Sequence, residues 1–263
     1  MERISVIKIG GKVIDNQDQL ESFLKSFAKP NIKKVLVHGG GKKIDQVCSQ
    51  LGIKVKMVEG RRITDDQTMD VVQMVLAGLI NKNIVSMLQR FGCNAIGLTG
   101  ADGNLIISEK RPVRNGIDFG RVGDIREINL DLMDSLIGER LIPVIASITH
   151  DINGTVLNTN ADTIASSVAQ SLSKRYECEL VYCFDQAGVL EDIKNKNSVI
   201  PLIRSSDFES MKTAGKISGG MIPKIENALL AIRGGVKRVF ITNHTFVGEY
   251  LTNRQALGTL IIQ

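Results

Sequence analysis

Two lysines and one aspartate, far apart in the chain, are the residues best suited to chemistry. Lys8 lies in an apolar, strand-like run, Ser5–Ile9, that ends in Gly10-Gly11. A lysine in such a strand is costly to bury unless it meets negative charge. Paired glycines leave backbone N–H groups open to an anion. The competing reading is a lysine that snorkels to the rim ahead of an ordinary turn. Lys224 follows Pro223. Proline suits a first helical turn, so Lys224 is expected to project from a helix N-terminal turn beside further anion donors. Asn158, Asn160 and Asp162 alternate, which in an extended segment aims all three side chains one way. The alternative is that Asp162 simply caps the helix that follows. Gly39-Gly40-Gly41 separates the strand Lys34–His38 from a helix starting near Lys42, and such a junction welcomes anions.

Glycine-rich turns, two lysines and one aspartate together suggest phosphoryl transfer. That reaction depends on positioning and charge neutralisation more than on covalent chemistry. Lysines flanking the phosphoryl group would offset the charge on its oxygens, and Asp162 between them would hold both. Neither GxxxxGK[ST] nor GxGxxG occurs, so a Walker loop and a dinucleotide fingerprint are both excluded.

The elements that must position these residues follow from the hydrophobic pattern. Helical spacing covers Gln17–Ala28, 42–51, 130–137, 163–172 and 224–232. Short apolar runs at 34–38, 53–58, 94–99, 142–147, 179–185, 238–242 and 258–263 read as strands. This alternation indicates an α/β fold. Residues 65–91 read as one long helix with more apolar surface than a single core-facing stripe needs, so a homodimer through this helix is expected. Residues 104–128, with Lys110, Arg111, Arg114, Arg121 and Arg126, read as a solvated hairpin rather than a substrate lid.

Composition limits the partners. In 263 residues the net charge is only +5 and aromatics make up 4%. There is no dense basic block, so nucleic acid is not expected as a partner. The four cysteines lack zinc-ligand spacing and there are three histidines, so no resident metal is expected. With neither a signal peptide nor a membrane-length apolar run in view, a cytoplasmic protein with reduced thiols and no membrane partner is expected.

Five motifs stand in unbroken order from residue 4 to the C-terminus: Lys8-x-Gly-Gly11, His38-Gly-Gly-Gly41, Gly60-x-Arg62-x-Thr64, Asn158-x-Asn160-x-Asp162 and Lys216-x-x-Gly-Gly-Met-x-Pro-Lys224. Together they resemble the amino-acid kinase family. The resemblance implies a three-layer αβα sandwich around a central, mainly parallel sheet. It implies one domain, 1–263, with an acceptor-binding and dimerisation lobe at 1–175 and an ATP-binding lobe at 176–263. Lys8 and Lys224 would be catalytic, with Asp162 organising them. Gly40, Gly41, Arg62, Asn158 and Asn160 would bind the acceptor, Arg62 through its α-carboxylate, which a guanidinium fork suits. Gly10, Gly11, Asp185, Gly188, Lys216, Ile217 and Ser218 would bind nucleotide.

The expected reaction is ATP-dependent phosphorylation of the γ-carboxylate of N-acetyl-L-glutamate in arginine biosynthesis, with Mg2+ carried by ATP. Gly60-x-Arg62 and Asn158-x-Asn160 favour an N-acyl-L-glutamate acceptor, N-succinyl-L-glutamate being the alternative. A non-catalytic nucleotide or amino-acid sensor is a reading of another class, but it would not need Lys8, Asp162 and Lys224 together. Two departures from the family pattern stand out. Asp185-Gln186 replaces the common Asp-Val, and only three residues precede the first strand. Arginine-inhibited relatives carry an extra N-terminal helix there, so feedback by that route is not expected.

Overall fold

The computed structural model describes residues 1–58, 60–192, 194–217, 221–255 and 257–263. The chain begins β1 (Arg3–Ile9), α1 (Gly11–Ile14), α2 (Gln17–Ala28), β2 (Lys34–His38), α3 (Gly41–Gln50), β3 (Lys56–Val58) and β4 (Arg61–Ile63). A long helix follows as α4 (Asp66–Gln73), a π-helical segment (Met74–Ile80) and α5 (Asn81–Arg90). The middle comprises β5 (Ala95–Leu98), β6 (Ile106–Lys110), β7 (Gly123–Ile128), α6 (Leu130–Gly138), β8 (Ile142–Ala146), β9 (Ile148–His150), β10 (Val156–Asn158) and α7 (Ala161–Leu172). The last third contains β11 (Glu177–Phe184), β12 (Leu202–Arg204), α8 (Phe208–Thr213), α9 (Met221–Arg233), β13 (Arg238–Asn243), α10 (Val247–Asn253) and β14 (Gly258–Ile262).

Eight strands form the central sheet in the order β12-β14-β13-β11-β1-β2-β8-β5. Every junction is parallel except β13–β14. Parallel strands covered on both faces must be apolar on both faces, which explains runs such as Val35-Leu-Val37. The period of two divides them. Ile4, Val6, Leu180, Tyr182 and Ile241 pack with α6, α7 and α9. Ile7, Ile9, Val181, Cys183 and Phe240 pack with α2, α3, the long helix and α10. The αβα architecture follows. A second sheet, β10-β9-β6-β7, and the β3–β4 hairpin stand beside it.

Several boundaries differ from the sequence reading. Strand 53–58 shrinks to its last three residues, which pair in the β3–β4 hairpin. The elements α8, α10 and β12 were not anticipated. The Asn158–Asp162 segment is not extended throughout. Asn160 caps α7, its side chain accepting from Asp162 N at 2.7 Å and Thr163 N at 3.2 Å. Asp162 therefore sits in the first helical turn rather than serving as the cap. The expectation of no membrane-length apolar run also needs correction. Asp66–Arg90 is long and apolar enough by length and composition to cross a membrane. Its apolar residues serve two faces: Val71, Val72, Val75, Leu76, Ile84 and Leu88 are buried in the core, whereas Met74 and Leu79 are exposed.

Candidate active site

Lys8 shares a face of β1 with Ile4 and Val6, the face that α7 covers, so the pleat delivers its ammonium to that helix. There it lies 2.7 Å from Asp162 Oδ1, as a close ion pair rather than an aligned hydrogen bond. Lys224, in the first turn of α9, donates to Asp162 Oδ2 at 2.9 Å. Its ammonium also stands 5.8 Å from the centre of the Phe184 ring. Residues 216 positions apart thus close on one carboxylate. The side chains of Lys8 and Asp162 are 12% and 14% exposed, open enough at one side to be approached. Burial alone would push the Asp162 carboxyl up, but the charges of Lys8 and Lys224 outweigh it and hold the pKa at about 2. Tyr182, which is in register with Lys8, donates its hydroxyl to the Asp162 carbonyl at 3.2 Å and ties the helix start to the sheet.

The surrounding groups gather at the carboxyl ends of β1, β2 and β11, where strand order diverges on either side of β1. Ligands of open α/β sheets bind at that location. Gly11 and Lys12 open α1, so their N–H groups have no intrahelical acceptor. Gly10 does not present a free donor as the paired glycines suggested: its N–H goes to Cys183 O at 3.0 Å. Gly40 caps α3 and Gly41 begins it. A Cβ on Gly40 would collide with Ile80 Cδ1 and stand 3.0 Å from Leu76 Cδ2.

Among the residues expected to bind the acceptor, Arg62 pairs with Asp45 and donates to Gly41 O at 3.1 Å, so its guanidinium is fixed beside the glycine loop. Asn158 donates to Thr64 Oγ1 at 3.1 Å. Phe119–Arg121 stitch these pieces together: Thr64 N donates to Phe119 O, Arg121 N to Thr64 O, and Asn158 N to Arg121 O. Gly120, at φ +71, must be glycine because a Cβ there would strike Thr64 O. The hairpin is thus part of the wall behind Arg62 and Asn158. Four of its basic residues are already paired: Lys110 with Asp118, Arg111 with Asp124, Arg121 with Asp66, and Arg126 with Glu109.

On the other side, Asp185 follows β11 and accepts from Lys12 Nζ at 2.6 Å, while its carbonyl accepts from Asn243 at 3.0 Å. Burial raises the Asp185 pKa, but the Lys12 bond and charge, a backbone hydrogen bond and the nearby His244 together outweigh it and the net shift is downward. The sequence reading missed Lys12, although its place directly after Gly10-Gly11 could have marked it as a third cation at the same edge. Gly188 packs against Thr259, whose Oγ1 a Cβ would meet at 2.8 Å. Lys216 pairs with Glu191 at 2.9 Å, and the Ile217 side chain is buried in the core rather than presented at the surface. Ser218, with Gly219 and Gly220, lies outside the described residues.

Comparison with known proteins agrees in one direction. Residues 3–243 match the amino acid kinase family. The acetylglutamate kinase of Cytophaga hutchinsonii is 48% identical over 262 residues, spanning 100% of this chain and 99% of that protein. The acetylglutamate kinase of Parabacteroides distasonis is 52% identical over 242 residues, 92% of this chain and 94% of that one. The crystal structure of smu.665 from Streptococcus mutans superposes with a TM-score of 0.79 at 30% identity, over 98% of each chain.

Proposed function

The chain belongs to the amino acid kinase family, and from that premise we propose that it transfers the γ-phosphoryl group of ATP to the γ-carboxylate of N-acetyl-L-glutamate. This is the acetylglutamate kinase reaction, a step of arginine biosynthesis. The observation that carries the proposal is the Lys8–Asp162–Lys224 clamp at the carboxyl edge of the parallel sheet.

A γ-carboxylate oxygen of the acceptor forms the new bond to Pγ as the bond from Pγ to the departing ADP oxygen breaks. The acceptor is already ionised at neutral pH, so no general base is needed. Charge grows on the phosphoryl oxygens and on the leaving oxygen, and Lys8 and Lys224 meet it from opposite elements, β1 and α9. Asp162 stays ionised throughout. It moves no proton and instead keeps the two ammonium groups from parting. Arg62 takes the acceptor α-carboxylate, with Asn158 and Asn160 beside it. The N–H groups of Gly40 and Gly41 meet the acceptor, and that of Gly11 serves the phosphate. Asp185 to Gly188 and the 216–218 turn serve the nucleotide, which brings Mg2+ with it as MgATP.

In this reading residues 1–175 form the acceptor lobe and 176–263 the nucleotide lobe. Two copies associate through the long helix, whose exposed Met74 and Leu79 support a further apolar contact. The test is ADP release from MgATP with N-acetyl-L-glutamate, N-succinyl-L-glutamate, glutamate or aspartate as acceptor and Lys8→Ala as control. Turnover with the acetyl compound that vanishes in the control is the expected result. Turnover with the succinyl compound alone would keep the mechanism and change the acceptor. Silence with every acceptor from a folded, ATP-binding protein would overturn the assignment.

A further inference from the structure

We propose that Asn81 and His38 are positioning residues, through which the π-helical segment of the long helix sets the conformation of the glycine loop that meets the acceptor. The proposal rests on the reading of Gly40 and Gly41 as acceptor-binding.

Asn81 is the first residue after the π-helical segment and is 1% exposed. Its N–H is shared between Gly78 O and Leu76 O, three and five residues earlier, so the widened turn fixes where it points. The amide Nδ2 donates to Val144 O at 2.9 Å and to His38 Nε2 at 3.1 Å. Val144 O only accepts, which settles the orientation of the amide. Among the described residues, Asn81 Oδ1 has no hydrogen-bond partner. A buried amide with an unpaired carbonyl carries a desolvation cost that a leucine would not incur. What the amide supplies in return is the pair of donors.

His38 carries the constraint onward. Its Nε2 accepts from Asn81, so Nδ1 bears the proton and donates to Gly39 O at 3.0 Å. The Gly39–Gly40 peptide is planar and trans, so its carbonyl and the Gly40 N–H point in opposite directions. Holding the carbonyl against the imidazole therefore aims the Gly40 N–H away from it. Ile80 and Leu76 press on Gly40 from the same π-helical segment. Two routes, one polar and one by packing, thus lead from that segment to the loop.

Steady-state kinetics of Asn81→Leu, with acceptor and MgATP varied in turn, test this. The expected result is a rise of about 10- to 100-fold in KM for the acceptor, as for a misplaced binding group, with KM for MgATP unchanged. Ile80→Ala removes the packing route and leaves no polar group unpaired, and a smaller rise with the same acceptor-only signature is expected. A folded Asn81→Leu protein with a lower melting temperature but wild-type acceptor kinetics would overturn the proposal. So would a lower kcat with both KM values unchanged. If Asn81→Leu does not fold, an unchanged acceptor KM in Ile80→Ala overturns it. Wild-type turnover tests the acceptor-binding reading separately, because only the variant-to-wild-type ratio bears on Asn81 and His38.

Discussion

Lys8 and Lys224 are both drawn to one carboxylate, and that convergence separates a charge clamp from two unrelated surface lysines. If each ammonium stabilises charge that develops only in the transition state, Lys8→Ala and Lys224→Ala should each lower kcat by about two to three powers of ten. Both proteins should keep their substrate affinities, measured by calorimetry. Lys12 has a different place. Its bond to Asp185 joins α1 to the turn after β11, so if that turn serves the nucleotide as proposed, Lys12→Ala is expected to raise the MgATP dissociation constant and leave acceptor binding alone. An effect on the acceptor only would remove Lys12 from the nucleotide site.

At the scale of elements, two short segments hold the proposed acceptor side together. Gly120 lets the 119–122 segment lie against Thr64, so Gly120→Ala forces either a left-handed alanine or a lost backbone bond. A destabilisation of about 1–3 kcal/mol in urea is expected, with a raised acceptor KM. Asn160 caps α7, the helix that carries Asp162. Asn160→Ala is expected to cost about 1 kcal/mol through the lost cap alone. A kcat loss beyond what that fraying explains would give Asn160 a direct part in acceptor binding.

The whole molecule responds to pH through buried groups at the site. Burial lowers the His38 pKa to about 4, only partly opposed by its bond to Gly39. Unfolded chains bind a proton at this residue below about pH 6.5 that the folded protein refuses until about pH 4. Stability should therefore fall as pH drops through that window, by an amount on the order of 3 kcal/mol. A His38→Gln protein should show a flatter urea midpoint across the same range. Asp162 acts lower: its contribution is fully present above about pH 4 and is lost as pH falls through about 2. The proposed association of two copies is the other whole-molecule property to test. Light scattering of Leu79→Glu and Met74→Glu should give half the wild-type mass if the long helix carries the dimer. An unchanged mass would move the interface elsewhere.

The sequence alone determined the α/β class and singled out Lys8, Asp162 and Lys224 as candidates, because both are written in short-range patterns. Val/Ile runs covered on both faces can only be central parallel strands, and the amphipathic stretches between them must be the covering helices. Lys8, Asp162 and Lys224 were legible because a charge in an apolar strand, or at a helix start, needs a partner. Tertiary structure decided what depends on neighbours distant in the chain. The spacing of Asn158, Asn160 and Asp162 suited an extended segment, but the cap that Asn160 makes for α7 turned Asp162 into a helical residue. Gly10 looked like a free donor until β11 supplied the Cys183 carbonyl. Asn81 and the π-helical turn left no local signature, and Lys12 left only its place after Gly10-Gly11. Their partners are Asp185, His38, Val144 and Gly40 on other elements, and only the packed sheet brings those together.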